Sequence, residues 1–426
     1  MIDINSFLAA YLSIFLLSSI VEVAIELING IHLRRYGQEV PDAFKGMIDA
    51  EKLKKMNEYT IANTKLTMMR TIVGKIVFLF IILSGILPWF AEIIREFHFI
   101  AAGLLFFAVL GLVSAFLDLP FNYYHIFRIE ERYGFNTRTN RTWIADLLKS
   151  LLITVILGTI LLSLLLLMVG YAGNTWWVWA WLIFFSFQLL MSVLYPTVIA
   201  PIFNKFIPVQ DDDLARKINE LSDREGLTIK GIFQMDAARR SRHTNAYFSG
   251  LGKAKRIVLY DTLLESHEED EILAVMAHEI GHLKRGHIKK QLVLIGIVSF
   301  ILFFLASRMI QWDSMYNSFG FSVMFTYVGL FLISILWEPV GFFLSPMSAA
   351  ISRKFEKQAD YHAYRVLKTS GAFIKALKKM ARDNLSNLRP HPLYAWFNYS
   401  HPPLMERIKN LEDMNDQSPR TSIRIQ

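Results

Sequence analysis

Residues 268–290 read "EEDEILAVMAHEIGHLKRGHIKK", and residues 291–310 continue directly with "QLVLIGIVSFILFFLASRMI". The second half is long and apolar enough to cross a bilayer, which takes about 20 such residues. The first half is a water-soluble helix. Ser266-His267-Glu268-Glu269 fits a capping box, with Ser266 as N-cap and Glu269 at the third helical position. Acidic residues crowd this end, while Lys284, Arg285, Lys289 and Lys290 crowd the other, as the helix macrodipole favours. Ile272, Val275, Met276 and Ile280 form an apolar stripe that predicts packing on a core. His278 and His282, four residues apart, project from one face where both imidazoles reach one metal ion. Glu279, beside the first histidine, is placed to take a proton from water at that ion. A site that uses water thus abuts a membrane span.

The rest of the chain repeats this contrast. Of 426 residues, 53% are hydrophobic, and the mean hydropathy is +0.34. The apolar residues fall in seven blocks, roughly Phe7–Asn29, Thr71–Ile93, Phe99–Leu117, Leu147–Gly170, Trp176–Ala200, Gln291–Ile310 and Phe321–Leu344. The first block carries Glu22 and Glu26 and lacks a basic leader, so it reads as a retained span. Cysteine is absent, which excludes disulfides, thiolate nucleophiles and cysteine-held metals.

The net charge of +8 is concentrated in alternate loops. Arg34, Arg35, Lys45, Lys52, Lys54, Lys55, Lys65 and Arg70 lie between spans 1 and 2. Arg128, Arg132, Arg138 and Arg141 lie between spans 3 and 4, and the opposite side holds little beyond Arg95. The positive-inside rule then places the N-terminus outside and the larger polar regions in the cytoplasm. It accounts for the basicity without nucleic acid. Glu22, Glu26, Lys75 and Glu338 within spans face either neighbouring helices or a wetted interior.

The chain divides into five segments: 1–203 with spans 1 to 5, 204–290 with the metal helix, 291–344 with spans 6 and 7, 345–415, and a flexible tail at 416–426. The two polar segments show helical pattern in "DDDLARKINELSDREG" and strand pattern in "GIFQM" and "RIVLYD", and pack as one α+β domain. A catalytic zinc takes three protein ligands and an open position. "SRKFEKQADYHAYRVL" offers Glu356 as the third, with Asp360 one turn on as acceptor for a ligand histidine's other N–H. The same pair also suits a solvated helix face balanced by Lys354 and Lys357. His287, five residues past His282, falls on another face and reads as a polar residue at the membrane interface. His362 packs near the site or at the surface. His401, held by Pro402-Pro403, is a candidate hydrogen-bond donor to an oxyanion. Asn245 either binds substrate backbone beside an edge strand or caps a turn.

Several ordered motifs carry a family resemblance. "NAYFSG" (245–250), "HEIGH" (278–282), "FEKQAD" (355–360), "YSHPPLMER" (399–407), "IEERYGFNTRT" (129–139) and "YPTVIAPIFNKF" (195–206) resemble the integral-membrane CAAX prenyl protease type 1 group of zinc metalloendopeptidases. The resemblance implies seven transmembrane helices enclosing a water-filled chamber, with a cytoplasmic-side α+β zinc metalloprotease domain. It implies one Zn2+, with His278, His282 and Glu356 as ligands and Glu279 as general base. Asn245 and His401 would act on substrate or the tetrahedral intermediate, and Asp360 would support the ligands. The implied partners are membrane lipid and a peptide or protein substrate, prenylated at a C-terminal C-a-a-X sequence or not. The implied membrane is the endoplasmic reticulum for a eukaryotic member. "TSIRIQ" offers no retrieval signal, which fits a prokaryotic plasma membrane. Two rivals are an HtpX-like membrane quality-control protease, which is shorter with fewer spans, and a seven-span transporter or scaffold with structural zinc. Glu279 argues against a structural zinc, since such a site has no use for a base.

Overall fold

A computed structural model describes residues 5–249 and 256–416. Gly250 of the "NAYFSG" motif and residues 417–426 of the tail lie outside the described residues.

Among the described residues, seven helices are long and apolar enough to span a membrane: Ser6–Tyr36, Ala50–Leu83, Phe99–Tyr133, Asn140–Tyr171, Gly173–Phe203, His287–Met309 and Thr326–Leu367. They are spans 1 to 7 in chain order. Their outward faces carry bare apolar side chains such as Ile20, Ile76, Phe116, Leu152 and Ile160, a surface that only lipid tolerates. Their inward faces pack around Phe15, Phe106, Leu166, Tyr316, Tyr327 and Leu332.

Two blocks differ from their sequence reading. Thr71–Ile93 is not one helix: span 2 ends at Leu83, Gly85 takes φ +79°, and Ile86–Ile93 forms a separate short helix. Only glycine adopts such a φ cheaply, so the chain turns there despite unbroken hydrophobicity. Span 7 begins at Thr326 rather than Phe321 and does not stop at Leu344. At 42 residues and 1.5 Å per residue it is about 63 Å long, roughly twice the hydrocarbon thickness. It therefore crosses the bilayer and delivers Glu356 and Asp360 beyond it.

The interior between spans 1, 2 and 7 is hollow and polar. Lys75 Nζ lies 2.5 Å from Glu338 and 3.6 Å from Glu22, so the intramembrane charges join three helices. Two cavities of about 220 and about 140 Å3 share Glu26 and Thr67 as walls, one bounded also by Tyr59, Asn63 and Thr64, the other by Glu22, Thr71 and Asn398.

The polar segments form one four-stranded sheet in the order β1-β2-β4-β3: β1 (Phe206–Pro208), β2 (Gly231–Met235), β3 (Ala246–Ser249) and β4 (Arg256–Tyr260). β2 and β4 run parallel, and β1 and β3 flank them antiparallel. "RIVLYD" is thus an inner strand, and the edge strand beside it is β3, within "NAYFS", with β1 at the opposite edge. The HEIGH helix, Glu269–Lys284, buries the expected stripe of Ile272, Val275, Met276 and Ile280 against Ile257 and Leu259 of β4 and Phe373 and Ala363 beyond.

Its start differs from the sequence reading by two residues. Ser266 ends the preceding helix, Glu268 is the N-cap, and Glu271 completes the capping box. Ser266 is already engaged, donating its hydroxyl to Thr262 O at 2.8 Å.

Candidate metal centre

Each histidine of the HEIGH helix is held from behind. His278, buried, places Nδ1 2.8 Å from Asp360 Oδ1. Asp360 is itself gripped by Arg407, whose Nε and Nη2 donate to its two oxygens at 2.9 and 2.6 Å. His282 places Nδ1 3.0 Å from His287 Nδ1, and His287 Nε2 is 3.0 Å from Gln358 Oε1. With the His287 ring neutral, only one protonation pattern satisfies that chain. Gln358 Oε1 can only accept, so His287 donates from Nε2; its Nδ1 then accepts from His282 Nδ1–H. His282 is thereby left with a bare Nε2, and His278, whose Nδ1 faces Asp360, turns its Nε2 to the same place.

Those two Nε2 atoms face each other at 3.2 Å. Glu356 faces both, its carboxylate straddling the pair with Oε2 3.3 Å from His278 Nε2 and Oε1 3.3 Å from His282 Nε2. Such a convergence in a buried place suits a shared cation, and these three residues could hold a metal ion. Tetrahedral coordination at about 2.0–2.1 Å gives donor–donor edges of about 3.3 Å; the Nε2–Nε2 separation matches, and one donor atom from each of His278, His282 and Glu356 lies within 4.8 Å of the others. Burial alone would push the His278 imidazole down, but the carboxylates of Asp360 and Glu356 outweigh it and hold its pKa up at about 9. A field that holds a proton so firmly also favours a divalent ion in its stead.

Glu279 is adjacent, half-buried among these groups. Burial pushes its carboxyl up, while His278 and His282 pull it down. His401 is mostly exposed, with Nδ1 2.7 Å from Glu356 Oε2. Asn245 is exposed at the foot of β3, where Oδ1 accepts from Ala246 N at 2.8 Å and its backbone carbonyl from Tyr260 N at 3.1 Å. The structure thus brings His278, His282, Glu356, Asp360, Glu279 and His401 together, and puts Asn245 on the strand that packs against the HEIGH helix.

The solvated-face reading of Glu356 and Asp360 does not hold, since both are at least 95% buried. His362 is also buried. It packs behind the HEIGH helix, where its Nε2 lies 3.4 Å from Glu225.

Two residues of the site escape sequence reasoning. Arg407 is visible in "SHPPLMER", yet nothing local marks it as the partner of Asp360. His287 reads as interfacial because a five-residue spacing on one helix points away from His282. The helix in fact breaks at Gly286, φ +65°, and restarts at His287 as span 6. The break turns His287, buried rather than interfacial, back onto its neighbour.

Comparison with known proteins covers nearly the whole chain. Residues 30–205 match the family model described as CAAX prenyl protease N-terminal, five membrane helices, and residues 208–415 match that of peptidase family M48. The chain is 34% identical over 390 residues to the CAAX prenyl protease 1 homolog of Arabidopsis thaliana, spanning 88% of this chain and 90% of the relative. It is 33% identical over 414 residues to CAAX prenyl protease 1 of Saccharomyces cerevisiae, spanning 89% and 90%. The crystal structure of S. mikatae Ste24p aligns with a TM-score of 0.87 at 31% identity, covering 94% of this chain and 99% of that one.

Proposed function

This chain belongs to peptidase family M48 and is a membrane-embedded metalloendopeptidase, and from that premise we propose that its metal is zinc and that it cleaves near the C-terminus of membrane-associated polypeptides, prenylated C-a-a-X proteins among them. The observation that carries the reading is the convergence of two imidazole Nε2 atoms 3.2 Å apart with the Glu356 carboxylate 3.3 Å from each, one donor atom per residue lying within 4.8 Å of the others. Such an all-N/O set suits zinc, and with three protein donors it leaves one position open. The substrate class rests on what the relatives are named for.

Zinc bound there supplies a Lewis acid to polarise the scissile carbonyl. The chain's own groups do the rest. His278, His282 and Glu356 hold the ion; Asp360 and His287 fix the tautomers that make this possible. Glu279 takes a proton from the attacking water and returns it to the leaving amine. His401, exposed beside Glu356, donates to the oxyanion with Asn245. The free edge of β3 receives an extended peptide by strand addition. Residues 204–290 and 345–415 together make up the peptidase unit.

A Glu279→Ala chain is expected to retain about one zinc and to lose peptidase activity. Product mass spectrometry on prenylated and unprenylated peptides, with wild type and variant side by side, reads both the cut position and the lipid requirement. Full cleavage by the variant refutes the role of Glu279.

The distribution of lysine and arginine places the peptidase unit in the cytoplasm. In this cysteine-free chain, a single cysteine inserted near the N-terminus should react only from the opposite side. Labelling from the cytoplasmic side overturns the orientation.

A further inference from the structure

Away from the metal, a cavity of about 200 Å3 is walled by Lys52, Lys55 and Arg242 over a floor of Tyr133, Gly134, Phe135 and Leu385. None of the three cations forms an ion pair among the described residues. The one acidic group on the wall, Asp383, is engaged 2.8 Å from Arg382 Nε. Asp383 offsets part of the charge on Lys52, but three cations share this one carboxylate, and like charges gathered in excess gain by binding an anion between them.

The walls are fixed in place. Arg242 N donates to Phe135 O at 3.1 Å, and Asn136 bridges to Ser241. The His243 ring stacks on Phe135 at 3.9 Å, and its Nε2 meets the buried Glu130 at 3.0 Å. Tyr133, Phe135 and Leu385 are each more than 90% buried. Lys52 and Lys55 stand one turn apart at the start of span 2, on a helix anchored by the Asp49 cap. Three elements distant in sequence thus aim their cations into a pocket with a rigid aromatic floor. Such a pocket suits a tetrahedral oxyanion, which takes point charges from two lysines and a planar fork from one arginine.

We propose that Lys52, Lys55 and Arg242 form a binding site for a phosphate group, distinct from the metal centre. The group comes from a soluble phosphate compound or from the headgroup of an anionic phospholipid. Arg242 lies three residues before Asn245, so an occupant would brace the chain leading into β3.

The probe is radiolabelled inorganic phosphate, measured by equilibrium dialysis against the metal-loaded full chain in detergent. Saturable binding of one phosphate per chain is expected, with Kd at or below about 1 mM. Lys52→Gln and Arg242→Gln should each weaken it by at least about tenfold, since each removes a charge-assisted hydrogen bond. Lys54→Gln, on the exposed neighbour outside the cavity, should leave it unchanged. All three variants should keep full metal content, which reports that they fold. Repeating the dialysis in bilayers of phosphatidylcholine with or without phosphatidate separates the sources. Loss of phosphate binding with phosphatidate assigns the lipid headgroup, and retained binding assigns a soluble phosphate. Absence of saturable binding to the wild type, or equal binding by the cavity variants, overturns the site.

Discussion

Gly281 and Ala359 set the spacing of the two helices that carry His278, His282 and Glu356. A Cβ on Gly281 would stand 3.0 Å from Ala359 Cα and 3.0 Å from His362 Cβ. The first neighbour is backbone and cannot swing aside. A side chain at 281 therefore needs span 7, which carries Glu356, to give by a few tenths of an ångström.

Gly281→Ala should consequently lower metal affinity by roughly tenfold, as other displaced supports of metal ligands do. Overpacking adds about 1–3 kcal/mol of destabilisation. Chelator competition measures the affinity. Excess metal should restore part of the peptidase activity, because the catalytic groups themselves remain. Unchanged affinity and unchanged thermal stability would show that the helices are free to separate without consequence.

Arg407 and Asp360 are both buried and joined by two hydrogen bonds of 2.9 and 2.6 Å. Removing one member of such a pair strands the other charge, at a cost of about 3–5 kcal/mol. Arg407→Met should therefore lower the apparent Tm by on the order of 10 °C. Lys357 and Glu406, 2.7 Å apart but half-exposed, form an informative control. Lys357→Met should cost no more than about 1 kcal/mol. Thermal unfolding of both variants in detergent compares them, and equal shifts would contradict the assignment of a structural role to burial.

Glu271 closes the capping box of the HEIGH helix, accepting from Glu268 N at 2.9 Å and from Lys379 Nζ at 2.8 Å. Burial pushes its carboxyl up, but the hydrogen bonds from Lys379 and the Glu268 amide outweigh this and hold it below the usual range. Its folded pKa is thus below its unfolded value of about 4.3. Its stabilisation is complete above that value and is lost as pH falls through the folded pKa. Glu271→Gln should cost about 1.5–3 kcal/mol at neutral pH. The gap between wild type and variant should close on acidification below about pH 4. Denaturant titration of the chelator-treated proteins at both pH values measures it without a metal contribution, and a gap independent of pH would contradict the linkage.

Much of the fold is legible in the sequence because the bilayer imposes a strong, local rule. Backbone polar groups in hydrocarbon must bond within their own helix, so an apolar block of sufficient length is a span wherever it occurs. The HEIGH helix is legible for a similar reason: an apolar stripe at helical period, flanked by charges of the right sign, depends on no distant residue. Its capping box is displaced by two residues, because two caps in succession, Ser266-x-x-Glu269 and Glu268-x-x-Glu271, compete locally. The contest is decided by Lys375 and Lys379, which reach Glu268 and Glu271 from another helix. Where span 2 ends and the chain turns at Gly85, hydrophobicity conceals a backbone event.

By itself the sequence determined seven spans, the helix bearing His278 and His282, and the placing of Glu279 beside them, since each rests on spacing along one segment. Tertiary structure alone decided that span 7 continues without interruption to Glu356, that Gly286 turns His287 onto His282, and that Arg407 completes the support of His278 through Asp360. The physical reason is the same in each case. A donor atom's worth depends on the distance and protonation of partners tens or hundreds of residues away, and helical period carries no record of where two helices cross.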